Sequence, residues 1–314
     1  MANIVWEFHI GVDMFFVLSG FLITYRYFDD HPIHFKKYMT NRVARIYPMY
    51  FLITVLVFLV GFLQSGIWTS KNTIEAILSF TMTKALFSDY HFAGIPQGWT
   101  LTLEEMFYLT APFYFILIRK NKWWLYLLPL LIFGFGIGMK NLFSSFNHWG
   151  GFLQSGIHTY IIEFFVGIGL ALLMLKSNFK PNLKGGVTYI GIFFISLYCL
   201  TISDLRSTFS LKSDIGTFFE IGLLSILGIA PLLWGLIHEK TLVSKFLSLP
   251  IMVLLGKASY IFYLIHKGFI PIFIDENIWS NKAFLFISLN IISIILFKYI
   301  EEPSNQWIRK RFAK

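Results

Sequence analysis

Two adjacent carboxylates, Glu104 and Glu105, stand in Gly98-Trp99-Thr100-Leu101-Thr102-Leu103-Glu104-Glu105-Met106-Phe107-Tyr108, a stretch that otherwise reads as membrane-spanning. A carboxylate at membrane depth is costly unless paired or hydrated, so it marks a candidate functional site by default. The competing reading places both in the headgroup zone, where the positive end of a helix dipole favours negative charge. Asp13, a few residues into Gly11-Val12-Asp13-Met14-Phe15-Phe16-Val17-Leu18-Ser19-Gly20-Phe21-Leu22-Ile23, poses the same choice between site and interfacial anchor. Beside it, Ser19 and Gly20 form a small patch against which another helix can pack closely.

Arg42 and Arg45, in Arg42-Val43-Ala44-Arg45-Ile46-Tyr47-Pro48, are three residues apart and share a face if the segment is helical. Guanidinium forks suit the pyrophosphate or 3′-phosphate of a nucleotide-like cofactor. On spacing alone, anchoring to lipid headgroups explains them at least as well. His266 closes Gly256-Lys257-Ala258-Ser259-Tyr260-Ile261-Phe262-Tyr263-Leu264-Ile265-His266, where it can carry a proton or simply hydrogen-bond a neighbouring helix. The other histidines, including His31, His34, His91, His148 and His158, lack HExxH spacing, and no metal site is expected. Without GxGxxG, Walker or GxSxG patterns, soluble nucleotide-binding and serine-hydrolase folds are unsupported.

The elements that carry these residues follow from composition. Of 314 residues, 56% are apolar and only 14% charged, too few charges to coat a soluble surface. The chain therefore reads as an all-α polytopic membrane protein. Its 36 Phe, 15 Tyr and 9 Trp suit lipid-facing surfaces and interfacial belts. The single cysteine, Cys199, excludes a disulfide framework and a cysteine metal cluster. The net charge of +9 is confined to short loops between apolar runs, a pattern of membrane topology and not of nucleic-acid binding.

Apolar stretches long enough to cross about 30 Å of hydrocarbon number nine, roughly over 10–28, 47–66, 98–118, 123–140, 158–175, 185–203, 215–237, 249–275 and 283–300. Three contain polar groups: Glu104 and Glu105, then Glu163, then His266 with Lys267. The longest connection is 67–97, in which 78–86 is a candidate interfacial helix. No repeat, cleavable leader or soluble domain is evident, so residues 1–314 are expected to form a single membrane domain. Sixteen lysines and arginines fall on the side of the first loop and the carboxyl terminus, against six on the other. This bias places the carboxyl terminus in the cytoplasm of a cell whose inner membrane holds the protein.

Five stretches in order, Gly11 to Ile23, Arg42 to Pro48, Trp99 to Tyr108 with Pro112, Ala258 to His266, and Ile300-Glu301-Glu302-Pro303, resemble the successive signatures of the acyltransferase 3 family. The resemblance implies a polytopic enzyme that takes an acyl group, commonly acetyl, from cytoplasmic acyl-CoA and places it on hydroxyls of cell-envelope or exported glycans. It further implies that Arg42 and Arg45 are the family's paired arginines, Glu104 its glutamate before the Phe-Tyr pair, and His266 the histidine closing its late Ser-Tyr-x-x-Tyr-Leu-x-His run. Glu104, Asp13 and His266 would then orient a base or hold an acceptor hydroxyl, Arg42 and Arg45 would hold acyl-CoA, and the lipid bilayer and a glycan would be the other partners.

The sequence departs from the family at its start. Members usually carry one more helix ahead of the Gly-Val-Asp signature, with a basic residue and then a histidine regarded as the base; here ten residues precede Gly11, and His9 does not match that position. A ten-span family pattern lacking its first helix is therefore expected. Two other classes stay open: a carrier or flippase for a glycan or acyl intermediate, lined by Asp13, Glu104 and His266, and a catalytically silent paralogue.

Overall fold

A computed structural model describes residues 10–29, 33–144, 157–176, 184–209 and 213–312. His9, His31 and His148 lie outside them. All regular structure among the described residues is helical, as expected where hydrocarbon offers the backbone no partners and each segment must satisfy its own N–H and C=O groups. The helices are α1 Ile10–Tyr27, α2 Phe35–Ser65, α3 Ser70–Phe80, α4 Trp99–Lys120, α5 Trp124–Ser144, α6 Ile157–Lys176, α7 Gly186–Phe209, α8 Asp214–Leu224, α9 Ala230–His238, α10 Leu242–Leu247, α11 Pro250–Ile265, α12 Phe269–Asn277, α13 Lys282–Leu296 and α14 Glu302–Phe312. Wide π turns at Ser225–Ile229 and Phe297–Glu301 join α8 to α9 and α13 to α14. Among the described residues, seven helical runs are long and apolar enough to span a bilayer, with shorter apolar helices at Gly186–Thr201 and Pro250–Ile265. The chain is an all-α polytopic integral membrane protein.

Several boundaries differ from those expected. The second helix begins at Phe35, not near 47, and is about 46 Å long; Lys36, Lys37, Arg42 and Arg45 lower local hydropathy but do not interrupt helical hydrogen bonding. Pro48, expected at a helix entrance, sits well inside and removes one backbone bond there. The stretch 249–275 is two helices broken at Gly268, whose φ of +102° is open to glycine and strained for side chains. The last span runs on to Phe312. In place of a helix over 78–86, α3 ends at Phe80 and a 3₁₀ turn follows at Lys84–Leu86. Thr69 and Asn72 fix the start of α3 with a reciprocal capping box.

The chain divides into two compact units. The first comprises the described residues of Met1–Pro32, Phe107–His148 and Gly156–Leu247. Here α1 and α6 pack through small residues, as the Ser19-Gly20 patch predicts. A Cβ on Gly20 would lie 2.1 Å from the Phe164 carbonyl oxygen, and one on Gly167 2.0 Å from that of Val17. Phe107 meets Phe16 edge-to-face and Phe164 at a tilt beside this crossing, with centroids 5.6 and 5.1 Å apart. Tyr108 Oη lies 3.2 Å from Ser19 Oγ. At the start of α7, Glu239 accepts the N–H groups of Val187 and Thr188 at 3.1 and 2.8 Å, placing a carboxylate where the helix dipole favours it. These bonds outweigh burial, which acts in the opposite sense, and hold the Glu239 carboxyl below its ordinary pKa.

The second unit comprises the described residues of Ile33–Met106, Trp149–Ser155 and Ser248–Lys314. It holds α2, α3, the connection before α4, the first two turns of α4, and α11 through α14.

Candidate functional site

The second unit gathers most of the chemistry. Glu104 is the sixth residue of α4 and only 3% exposed. Its neighbours include the phenols of Tyr260 and Tyr263 on α11. Tyr260 Oη donates to the Ile46 carbonyl at 2.8 Å, pinning α11 to α2. Glu301, on the π turn and 6% exposed, also faces Tyr260.

Each arginine has a carboxylate neighbour in this unit, Glu105 beside Arg42 and Glu301 beside Arg45. The helix is continuous through both, yet it buries Arg42, 7% exposed, and leaves Arg45 open. Arg45 is thus the exposed guanidinium of the pair and Arg42 the buried one. A buried cation beside a carboxylate is the arrangement that low dielectric demands, since an isolated charge there is costly.

His266 caps α11. Its Nδ1 lies 2.7 Å from the Tyr263 carbonyl oxygen. A carbonyl only accepts, so Nδ1 carries the proton in that bond, and Nε2 of the neutral ring is left as the basic nitrogen. The ring stacks on Phe262 with an interplanar angle of 5°. The Tyr263 carbonyl also accepts from Gln97 Nε2 at 2.8 Å, and the Leu264 carbonyl from the same amide at 2.7 Å. Tyr263 Oη donates to the Gln97 carbonyl at 2.8 Å and lies 2.7 Å from Thr100 Oγ1. Gln97 therefore locks the end of α11, and with it His266, onto the start of α4.

The connection leading to Gln97 is tied by a lysine. Lys84 is fully buried, and its Nζ donates to the Ala93 carbonyl at 2.6 Å and to that of Ile95. Burial pushes the amine down to about 7. Nearby His91, stacked on Trp99 at 5.0 Å, is pushed down to about 4, first by burial and then by the Lys84 charge.

Asp13 belongs to the first unit, where its partner is Glu163, a fully buried carboxyl on α6. The structure thus groups Glu104, Arg42, Arg45 and the anchored His266 in one unit and pairs Asp13 with a different acid. Sequence reasoning singled out Glu105 only together with Glu104, and did not single out Tyr260, Tyr263, Glu301, Gln97 or Lys84 for a role. The tyrosines and Glu301 stood inside quoted signatures, while Gln97 and Lys84 carried no local signal. Among the described residues no cluster of His, Cys, Asp and Glu can hold a metal ion.

A family profile described as "Acyltransferase domain" matches residues 7–300. The chain belongs to the acyltransferase 3 family. Curated relatives include a Staphylococcus aureus (strain COL) protein named "Putative O-acetyltransferase SACOL0978", 28% identical over 322 residues, covering 94% of this chain and 52% of the relative. O-acetyltransferase OatA of Staphylococcus aureus (strain NCTC 8325 / PS 47) is 24% identical over 323 residues, covering 97% and 52%. The chain spans about half the length of the curated relatives it matches. No solved structure matches it. In this acyltransferase 3 chain the arginine pair, the α4 carboxylates and the late tyrosine-histidine run named in the sequence all fall in the second unit.

Proposed function

We propose that the protein is a membrane O-acyltransferase, moving an acyl group, acetyl first among candidates, from acyl-CoA on the cytoplasmic side to a hydroxyl of a cell-envelope or exported glycan. The observation that carries this reading is the oriented imidazole: His266 Nδ1–H is held by the Tyr263 carbonyl, leaving Nε2 to take a proton from an acceptor hydroxyl. The acceptor oxygen then bonds to the thioester carbonyl carbon, the carbon–sulfur bond breaks, and the proton passes to the departing CoA sulfur. Glu104, beside the Tyr263 phenol, orients the acceptor or the base. Arg45, exposed and near Glu301, engages a donor phosphate, with Arg42 buried near Glu105. Asp13, beside Glu163 on α6, belongs to the first unit and holds a polar contact within it.

The test is transfer of labelled acetyl from acetyl-CoA to envelope glycan in membranes holding wild type, His266→Gln or Glu104→Gln at equal protein levels. Loss of a general base removes about 10²–10⁴-fold in rate, and His266→Gln should lose that much. Undiminished transfer by His266→Gln would remove the imidazole from the chemistry; undiminished transfer by Glu104→Gln would return the carboxylate to a structural role.

A further inference from the structure

Beside the arginine helix, α2 and α14 enclose a groove of about 520 Å³, within the range of about 300–1,000 Å³ typical of small-molecule sites. Its walls include Tyr47, Pro48 and Phe51 on α2 and Ser304, Trp307 and Ile308 on α14. The lining is apolar yet open to the outside: Phe51 is 46% and Trp307 57% exposed.

The charge around this groove is one-sided. Helix α14 has one carboxylate, Glu302, in its first turn, and Arg309, Lys310 and Arg311 in its last. Arg311 is held over the Trp307 ring at 5.5 Å and the Phe312 ring at 5.8 Å. Arg311 follows Trp307 by about one helical turn, and its guanidinium lies over the Trp307 ring, at the end of the aromatic wall. An apolar trough with a cation at its end matches an acyl chain leading to an anionic headgroup. Trp and Arg at a helix end are interfacial residues, and clustered basic residues at a span terminus select anionic lipid.

We infer that this groove is a binding site for an anionic phospholipid, with one acyl chain along Phe51 and Trp307 and the phosphate against Arg311. The guanidinium binds phosphate through two donors, whereas a zwitterionic headgroup brings its own cation to the same place. The site takes a resident of the bilayer and is independent of the proposed acyl transfer.

The experiment reconstitutes the 314-residue chain in nanodiscs of equimolar phosphatidylglycerol and phosphatidylcholine, then counts retained lipids by native mass spectrometry. Wild type should keep one phosphatidylglycerol about fivefold more often than phosphatidylcholine, the effect of one interfacial cation. Arg311→Gln should bring the two lipids to parity. Ser304→Trp, which fills the groove, should lose the retained lipid with an unchanged unfolding temperature. Equal retention of the two lipids by wild type, or an undiminished preference in both variants, overturns the proposal. Displacement of the retained lipid by free CoA, which has no acyl chain, also overturns it and assigns the groove to a nucleotide.

Discussion

Replacing Lys84 with Met separates the lysine's charge from its bulk, because methionine keeps most of the apolar stem and deletes the amine. The amine in the folded chain is pushed down to about 7 by burial, against 10.5 for an ordinary lysine. Between those values the unfolded chain binds a proton that the folded chain does not, so stability rises with pH at about 1.4 kcal/mol per pH unit. Stability is therefore full above pH 10.5, falls as pH drops through the window, and levels off below 7. Across the whole window the difference amounts to about 5 kcal/mol, undiminished by solvent because Lys84 is fully buried. Subtracting the unfolding free energy of Lys84→Met from that of wild type, measured in detergent from pH 7 to 10.5, cancels the other lysines and tyrosines and should leave this slope. His91 supplies a second readout: its value of about 4 reflects burial first and then the Lys84 charge, so its imidazole should titrate at higher pH in the variant. A wild-type minus variant difference that stays flat with pH would refute the reasoning, showing that the buried amine holds its proton at no cost.

Gly20→Leu drives a side chain into the Phe164 carbonyl, 2.1 Å from where its Cβ must sit; overpacking of this kind costs about 1–3 kcal/mol or more, and the unfolding temperature in detergent should drop, with Ser19→Ala as the mild comparison. Arg45→Lys should weaken binding of a CoA analogue several-fold despite the retained charge, because an ammonium lacks the planar fork; equilibrium binding in detergent reads this, and unaltered affinity would leave Arg45 as a lipid anchor. Gln97→Leu deletes two hydrogen bonds to the end of α11, and acyl transfer should fall about tenfold or more through displacement of His266, with Gln97→Glu restoring less than wild type because it lacks the donor. A reporter active only in the cytoplasm, fused after Lys314, should give signal, and one fused within residues 85–95 should not.

Residue types and hydropathy were enough to read an all-helical membrane protein and to name Arg42, Arg45, Glu104 and His266, because charges stand out against apolar surroundings. A close helix crossing at Ser19-Gly20 was also legible, since serine is small and glycine has no side chain to hold helices apart; that α6 is the partner was not. Boundaries were less so. Hydropathy windows end where lysines and arginines accumulate, whereas helical hydrogen bonding does not, so α2 extends to Phe35. Partners were least legible: Glu105 beside Arg42, Glu301 beside Arg45 and Gln97 on the Tyr263 carbonyl join residues 63 to 256 positions apart. Such pairings depend on how helices rotate about their axes, and chain-local spacing does not encode it. Lys84 shows the same limit: in the sequence it is one of six basic residues on the sparse side, and only the fold around it makes it a buried tie.

The π turn at Phe297–Glu301 fits one more residue into a turn than an α-helix would. It acts as a phase shifter between α13 and α14. Each residue of an α-helix turns the chain by about 100°, so the extra residue sets the azimuth of everything after it relative to everything before. If these five residues closed into regular α-helix at unchanged chain length, the described residues Glu302–Phe312 would wind about 100° around the axis. Glu301 would leave Arg45, and Trp307 would leave the groove, although neither side chain had been altered. The wide turn that sets the phase of Glu302 and Pro303 against the helix before them is therefore as much a part of the site as the residues themselves, and closing it should displace Glu301 and Trp307 together.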